Sequence, residues 1–113
     1  KEELLNDGTA QQDLTASGLV KAAVKVTCGN SGSSIQSSFN NVGGTITINS
    51  GAGAGECTLD MGFPVNERYL SVLAPSDVDR LATCYASAET VLSCFRFNAA
   101  GTGINGTIMI LVY

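Results

Sequence analysis

Apolar and polar residues alternate with a period of two along most of this chain. In residues 20–28, VKAAVKVTC, the side chains of Val20, Ala22, Val24, Val26 and Cys28 share one face, while Lys21, Lys25 and Thr27 share the other. That is the pattern of a half-buried strand. Residues 35–40 predict a second strand with Ile35 and Phe39 on one face, and residues 45–49 a third with Ile46 and Ile48 inward. Residues 57–63 place Cys57, Leu59, Met61 and Phe63 on one side, and residues 68–74 form a fifth strand that Pro75 stops. Residues 80–85 and 91–97 read as a hairpin about Ser87, Ala88, Glu89 and Thr90, with Val91, Phe95 and Phe97 assigned to the core. The stretches between them, GNSGSS, SGAGAG and NAAGTGING among them, are turn chemistry. Residues 76–79 are read as a solvated loop rather than the start of a helix. The sum is about eight strands and no convincing helix, which predicts an all-β antiparallel sandwich, jelly-roll-like in its winding.

The last strand breaks the alternation. Ile108, Met109, Ile110, Leu111, Val112 and Tyr113 are all apolar or aromatic. Ile108, Ile110 and Val112 fall on one face; Met109, Leu111 and Tyr113 fall on the other. Each sheet of a sandwich has a single inner face, so one side of this strand has no core of its own to enter. The six residues are therefore expected at an oligomer interface, with the second dry face covered by another subunit. A run of this length is too short to span a bilayer.

The first 19 residues, KEELLNDGTAQQDLTASGL, carry only Leu4, Leu5, Leu14 and Leu19 as large apolar side chains. That is too sparse for a stable isolated helix, so residues 1–19 are read as a neck or linker and residues 20–113 as the head domain. The opening Lys1, in place of Met, raises the expectation of a processed product or a piece of something longer. A chain of 113 residues makes one domain able to bury roughly two-thirds of its unfolded surface. With 44% hydrophobic and 14% charged residues, the balance suits a turn-rich β domain. A net charge of -4 with six basic residues argues against a nucleic-acid partner, which needs a clustered basic surface.

Cys28, Cys57, Cys84 and Cys94 form no CxxC pair, and the chain has no histidine, so no metal site is expected. Cys84 and Cys94 flank the turn at residues 87–90 almost symmetrically, which sets them opposite one another. Cys28 and Cys57 are then the remaining pair among three connectivities; the alternative is four buried thiols behaving as small hydrophobes. Two bridges imply an oxidising place of maturation or export.

Catalytic chemistry is sparse. The missing histidine removes the commonest general base, and the serines sit in Gly/Ser loops without a GxSxG elbow. The Gly-rich stretch before Glu56 lacks the Lys-Ser or Lys-Thr of a phosphate loop. Glu56, Asp60, Asp77 and Asp79 are the carboxylates able to form a hydrolytic pair, and no Trp is present to line sugar subsites. Neither an enzyme nor a cofactor is expected. For binding, Tyr69, Tyr85, Arg68, Arg80, Arg96 and Asn98 combine flat apolar faces or forked donors with surface access. Tyr85 and Arg96 lie on the two arms of the cysteine hairpin, whose exposed face is the first candidate contact surface. The plainer reading has the tyrosines capping the core and the arginines pairing with Asp77, Asp79 or Glu67. Asn105-Gly106-Thr107 matches a glycosylation sequon but reads more simply as turn chemistry.

With these pieces in place, the chain resembles the C-terminal head domains of bacteriophage and prophage tail fibres or spikes. The resemblance runs over about residues 19–113. It is carried by Val20-Lys21-Ala22 opening an alternating strand, Ile35-Gln36-Ser37-Ser38-Phe39-Asn40, Met61-Gly62-Phe63-Pro64, Asn66-Glu67-Arg68-Tyr69 turning into a strand, and the apolar end at residues 108–113. It implies a homotrimeric β-sandwich at the tip of a virion appendage, with its final strand near the threefold axis. The implied task is recognition of a host cell-surface glycan or outer-membrane protein, without membrane insertion. Such domains commonly carry Trp where this chain has Ala23, and they usually lack paired cysteines. The cysteines fit thiols that oxidise after lysis, or a secreted, disulfide-held lectin-like or inhibitor module. A structural trimerisation cap that binds no ligand is the other alternative.

Overall fold

The computed structural model describes residues 19–113. Apart from Leu19, the expected neck lies outside the described residues. Eight strands run in order: β1 (Ala22–Cys28), β2 (Ser34–Asn40), β3 (Thr47–Ser50), β4 (Glu56–Asp60), β5 (Leu70–Leu73), β6 (Leu81–Ala86), β7 (Val91–Phe97) and β8 (Gly106–Val112). They form two four-stranded sheets, ordered β2-β1-β8-β5 and β3-β4-β7-β6, with every pairing antiparallel. No helix occurs among the described residues.

The core lies between the sheets because alternation sends one face of each strand inward. From the first sheet come Ala22, Val24, Val26 and Cys28 of β1 and Ile108, Ile110 and Val112 of β8. From the second come Cys57 and Leu59 of β4 and Leu92 and Cys94 of β7. Met61, Phe63 and Val65 extend this core beyond β4. The chain enters at one end, where the amide of Lys21 donates to the carbonyl of Val112 and the amide of Tyr113 donates to the carbonyl of Tyr69. At the far end, loops 29–33, 51–55 and 98–105 meet.

Two disulfides fix the far half. Cys28–Cys57 joins the sheets with a Cα separation of 5.2 Å. Stacked sheets ordinarily stand about 10 Å apart, so this bridge pinches the sandwich at its far end. Cys84–Cys94 joins neighbouring strands at directly opposed positions, 4.1 Å between Cα atoms. Cys57 is also the register partner of Cys94, so Cys57, Cys94 and Cys84 form one row across the second sheet.

Three expectations about facing are corrected. Ile35 packs against the core, yet Phe39 is 51% exposed on the outer face. The register slips between Lys25 and Val26, so that Gln36 is an extra residue on β2, and a one-residue bulge reverses the facing of the residues after it. On β7 the inward residues are Leu92, Cys94 and Arg96, so Val91, Phe95 and Phe97 face outward. Both parities of VLSCFRF contain apolar residues, and the pairing of Cys94 beside Cys57 selects the inner one. Lys21, expected outward, is buried just before β1, with its Nζ donating to the Leu19 carbonyl at 3.0 Å.

Candidate binding surfaces

The outer faces of the two sheets differ in chemistry. On the first, the register places Phe39, Ala23, Leu111 and Ser71 in one row and Ser37, Lys25, Met109 and Leu73 in the next. Leu73 is 59% exposed and Met109 41%. Together with Phe39 they border a mainly apolar groove of about 300 Å³. Lys25 is its one charged side chain. Towards the far end the face becomes polar: Gln36 Nε2 donates to Thr27 Oγ1 at 2.9 Å and to Thr107 Oγ1 at 3.1 Å. The patch is thus an apolar centre with a polar border, the layout of an interaction surface.

The outer face of the second sheet is mixed. Glu56, Phe95 and Thr83 stand side by side on β4, β7 and β6, and Thr58, Ser93 and Tyr85 form the next row. Tyr85 and Phe95 stack with ring centroids 6.2 Å apart and planes 11° from parallel. Beyond Phe97 the chain folds back, and Gly103 pairs with Phe97 in an isolated bridge. This return forms one side of an open groove of about 620 Å³ bordered by Ala54, Glu56, Thr83, Phe95, Phe97 and Thr102, with Gly101 and Gly103 on its rim. Two glycines allow the loops to close on it. Gly55 has φ +78°, and a Cβ there would strike the Arg96 carbonyl; a Cβ on Gly103 would strike the carbonyl of Ala54.

The expected binding residues do not converge. Tyr85 points out from β6, whereas Arg96 points inward from β7, so the hairpin does not present them together. The Arg96 guanidinium donates from Nε to the Thr107 carbonyl at 3.1 Å, and from one terminal nitrogen to the carbonyls of Asn105 at 2.9 Å and Ile104 at 3.3 Å. Burial lowers its pKa from the ordinary arginine value, and the positive charge of Arg80 adds to this. Arg96 thus holds the loop that delivers β8. Arg80 stays beside Asp79, 3.9 Å from its carboxylate. Asn98 closes its own turn, its Oδ1 accepting from the amides of Ala100 and Thr102 at 3.0 Å each.

Arg68 and Tyr69 lie at the entry end, away from the groove. Arg68 donates to the carbonyls of Pro64 and Tyr113 and sits 5.8 Å from the centre of the Phe63 ring, and burial lowers its pKa. Tyr69 is 86% exposed. Of the terminal strand, Ile108, Ile110 and Val112 are consumed by the chain's own core, which corrects their expected place at an interface. Met109, Leu111 and Tyr113 are not so consumed. Asn105 acts as a loop clasp: its Oδ1 accepts from Gly55 at 2.7 Å and Asn30 at 3.3 Å, and its Nδ2 donates to Asn30 and Ser31.

Among the described residues no group of three or more Cys, Asp or Glu is placed to hold a metal ion. No helix among them is long and apolar enough to cross a membrane. The class that the fold defines is a disulfide-linked, two-sheet antiparallel β protein. Comparison with family models, with curated proteins and with solved structures finds no match to this chain.

Proposed function

We propose that this chain is the tip domain of a phage appendage, assembled as a homotrimer and exposed on the virion surface, that attaches to a host cell surface. The observation that carries the reading is β8. It is an interior strand of its sheet, Ile108, Ile110 and Val112 fill the core, and its other face is still apolar where a single chain leaves it open. A sandwich needs only its inner faces dry, so this second face is matched to another copy of itself. A closed ring of copies also removes the hazard of exposed apolar sheet surface, and the head-domain resemblance supplies the number three. The resemblance also supports reading the nested pairing of β1 with β8 and β4 with β7 as jelly-roll winding. The far-end loops, opposite the point of chain entry, are then the surface that meets a receptor.

Fluorescently labelled protein incubated with a panel of intact bacterial strains tests this. Saturable binding to some strains, lost when the oligomer is broken by Met109→Asp, is the expected result. Oligomer that binds no strain would leave the structural cap as the better account. A monomeric protein would favour the secreted module that the two disulfides suit.

A further inference from the structure

We infer that the groove at the far end of the second sheet is a saccharide site, selective for neutral or amino-bearing sugars over acidic ones. The inference deepens the receptor-binding reading above and rests on it for its biological setting. Phe95 and Phe97 supply aromatic surface, and Tyr85 extends it by stacking on Phe95. A pyranose offers a face of C–H groups to such rings and a rim of hydroxyls to polar groups around them. Polar residues border the groove: Glu56, whose carboxylate lies against Gly53, then Thr83, Thr102 and the 101–103 turn. The groove, about 620 Å³, is within the usual range for small-ligand sites and suits a short oligosaccharide.

Charge decides the class of sugar. Glu56 and Arg96 are the two charged residues bordering the groove, and the Arg96 guanidinium is turned away to the carbonyls of Ile104, Asn105 and Thr107. The Glu56 carboxylate forms no ion pair among the described residues. The site therefore offers a negative charge as its single formal charge. It accepts from sugar hydroxyls or an ammonium group and repels a carboxylate or phosphate. The groove's position adds to this. It is bordered by Ala54 and Gly101–Gly103 of the far-end loops, away from the point where the chain enters.

The test is a titration of the isotopically labelled full chain, followed by amide NMR shifts, with three probes: a chitosan oligosaccharide, a manno-oligosaccharide and an oligogalacturonate. Saturable shifts at residues 54–56, 83, 95–97 and 101–103 are expected with the first or the second and not with the third. Glu56→Gln should weaken chitosan binding about tenfold while leaving the remaining spectrum in place. Phe97→Leu, which keeps an apolar side chain but removes the ring, should weaken all saccharide binding. The inference is overturned by no saturable shift at these residues with any probe, by equal binding of oligogalacturonate, or, where the parent chain binds chitosan, by unchanged chitosan affinity in Glu56→Gln. Native mass and whole-cell binding read the appendage proposal separately. Full cell binding by an intact Phe97→Leu oligomer would remove the groove and leave that proposal standing.

Discussion

The outer faces of the two sheets share one core and one set of folding constraints, yet they differ in chemistry. Across β2, β1, β8 and β5 the outward residues include Phe39, Ala23, Leu111, Met109 and Leu73. Across β3, β4, β7 and β6 they include Asn49, Thr58, Glu56, Ser93, Thr83 and Tyr85, with Leu81, Phe95 and Phe97 set among them. Folding asks only that the inner faces be apolar. On the proposed function the apolar centre of the first outer face answers a demand from outside the chain, and the mixed second face is the one left in water. On that proposal the contrast separates two tasks: one sheet for assembly, the other for contact.

The sharpest way to break that contrast is to charge each face in turn. Met109→Asp should convert the oligomer to a single-chain species, a threefold fall in native mass. The fold should survive, because Lys25 is the register partner of Met109 and can pair with the new carboxylate. Asn49→Asp, the control on the second outer face, should leave native mass unchanged and shift stability by less than about 0.5 kcal/mol.

The next effect in size concerns the pinch shared by both sheets. Replacing Cys28 and Cys57 together by alanine opens a loop with a sequence separation of 29. This should cost about 3.5 kcal/mol on the chain-entropy account, and lower the melting temperature by about 15 to 25 °C in calorimetry. Smaller still is Arg96→Ala, which leaves the carbonyls of Ile104, Asn105 and Thr107 without their charged donor. About 2 to 3 kcal/mol should be lost in denaturant unfolding, and Arg96→Lys should not restore it, because an ammonium cannot reproduce the guanidinium fork.

Much of this architecture is legible in the residues themselves. The alternation of Ala22, Val24, Val26 and Cys28 names the inner face of β1, and the symmetric flanking of residues 87–90 places Cys84 opposite Cys94. The two faces of β8 are also visible, since a sandwich gives a strand one inner side. The hidden features depend on partners distant in the chain. Phe39 comes after a bulge that only the pairing with β1 reveals. Arg96 turns inward because carbonyls eight to eleven residues later receive it, and no local pattern announces that. The groove needs Glu56, Phe95 and Thr83 aligned across three strands and the return of Gly103 to Phe97. The signals available for it were the Gly-rich segments on both sides, which by themselves say only that the chain turns.

The measurement that bears most directly on the division between an assembling and a contacting sheet is the native mass by light scattering, at low micromolar protein and without reductant. A mass about three times the 11.6 kDa of the chain is the result expected if the outer faces of Met109 and Leu111 are buried between copies. A mass of one chain, with Phe39, Leu73 and Met109 left in water, would contradict it.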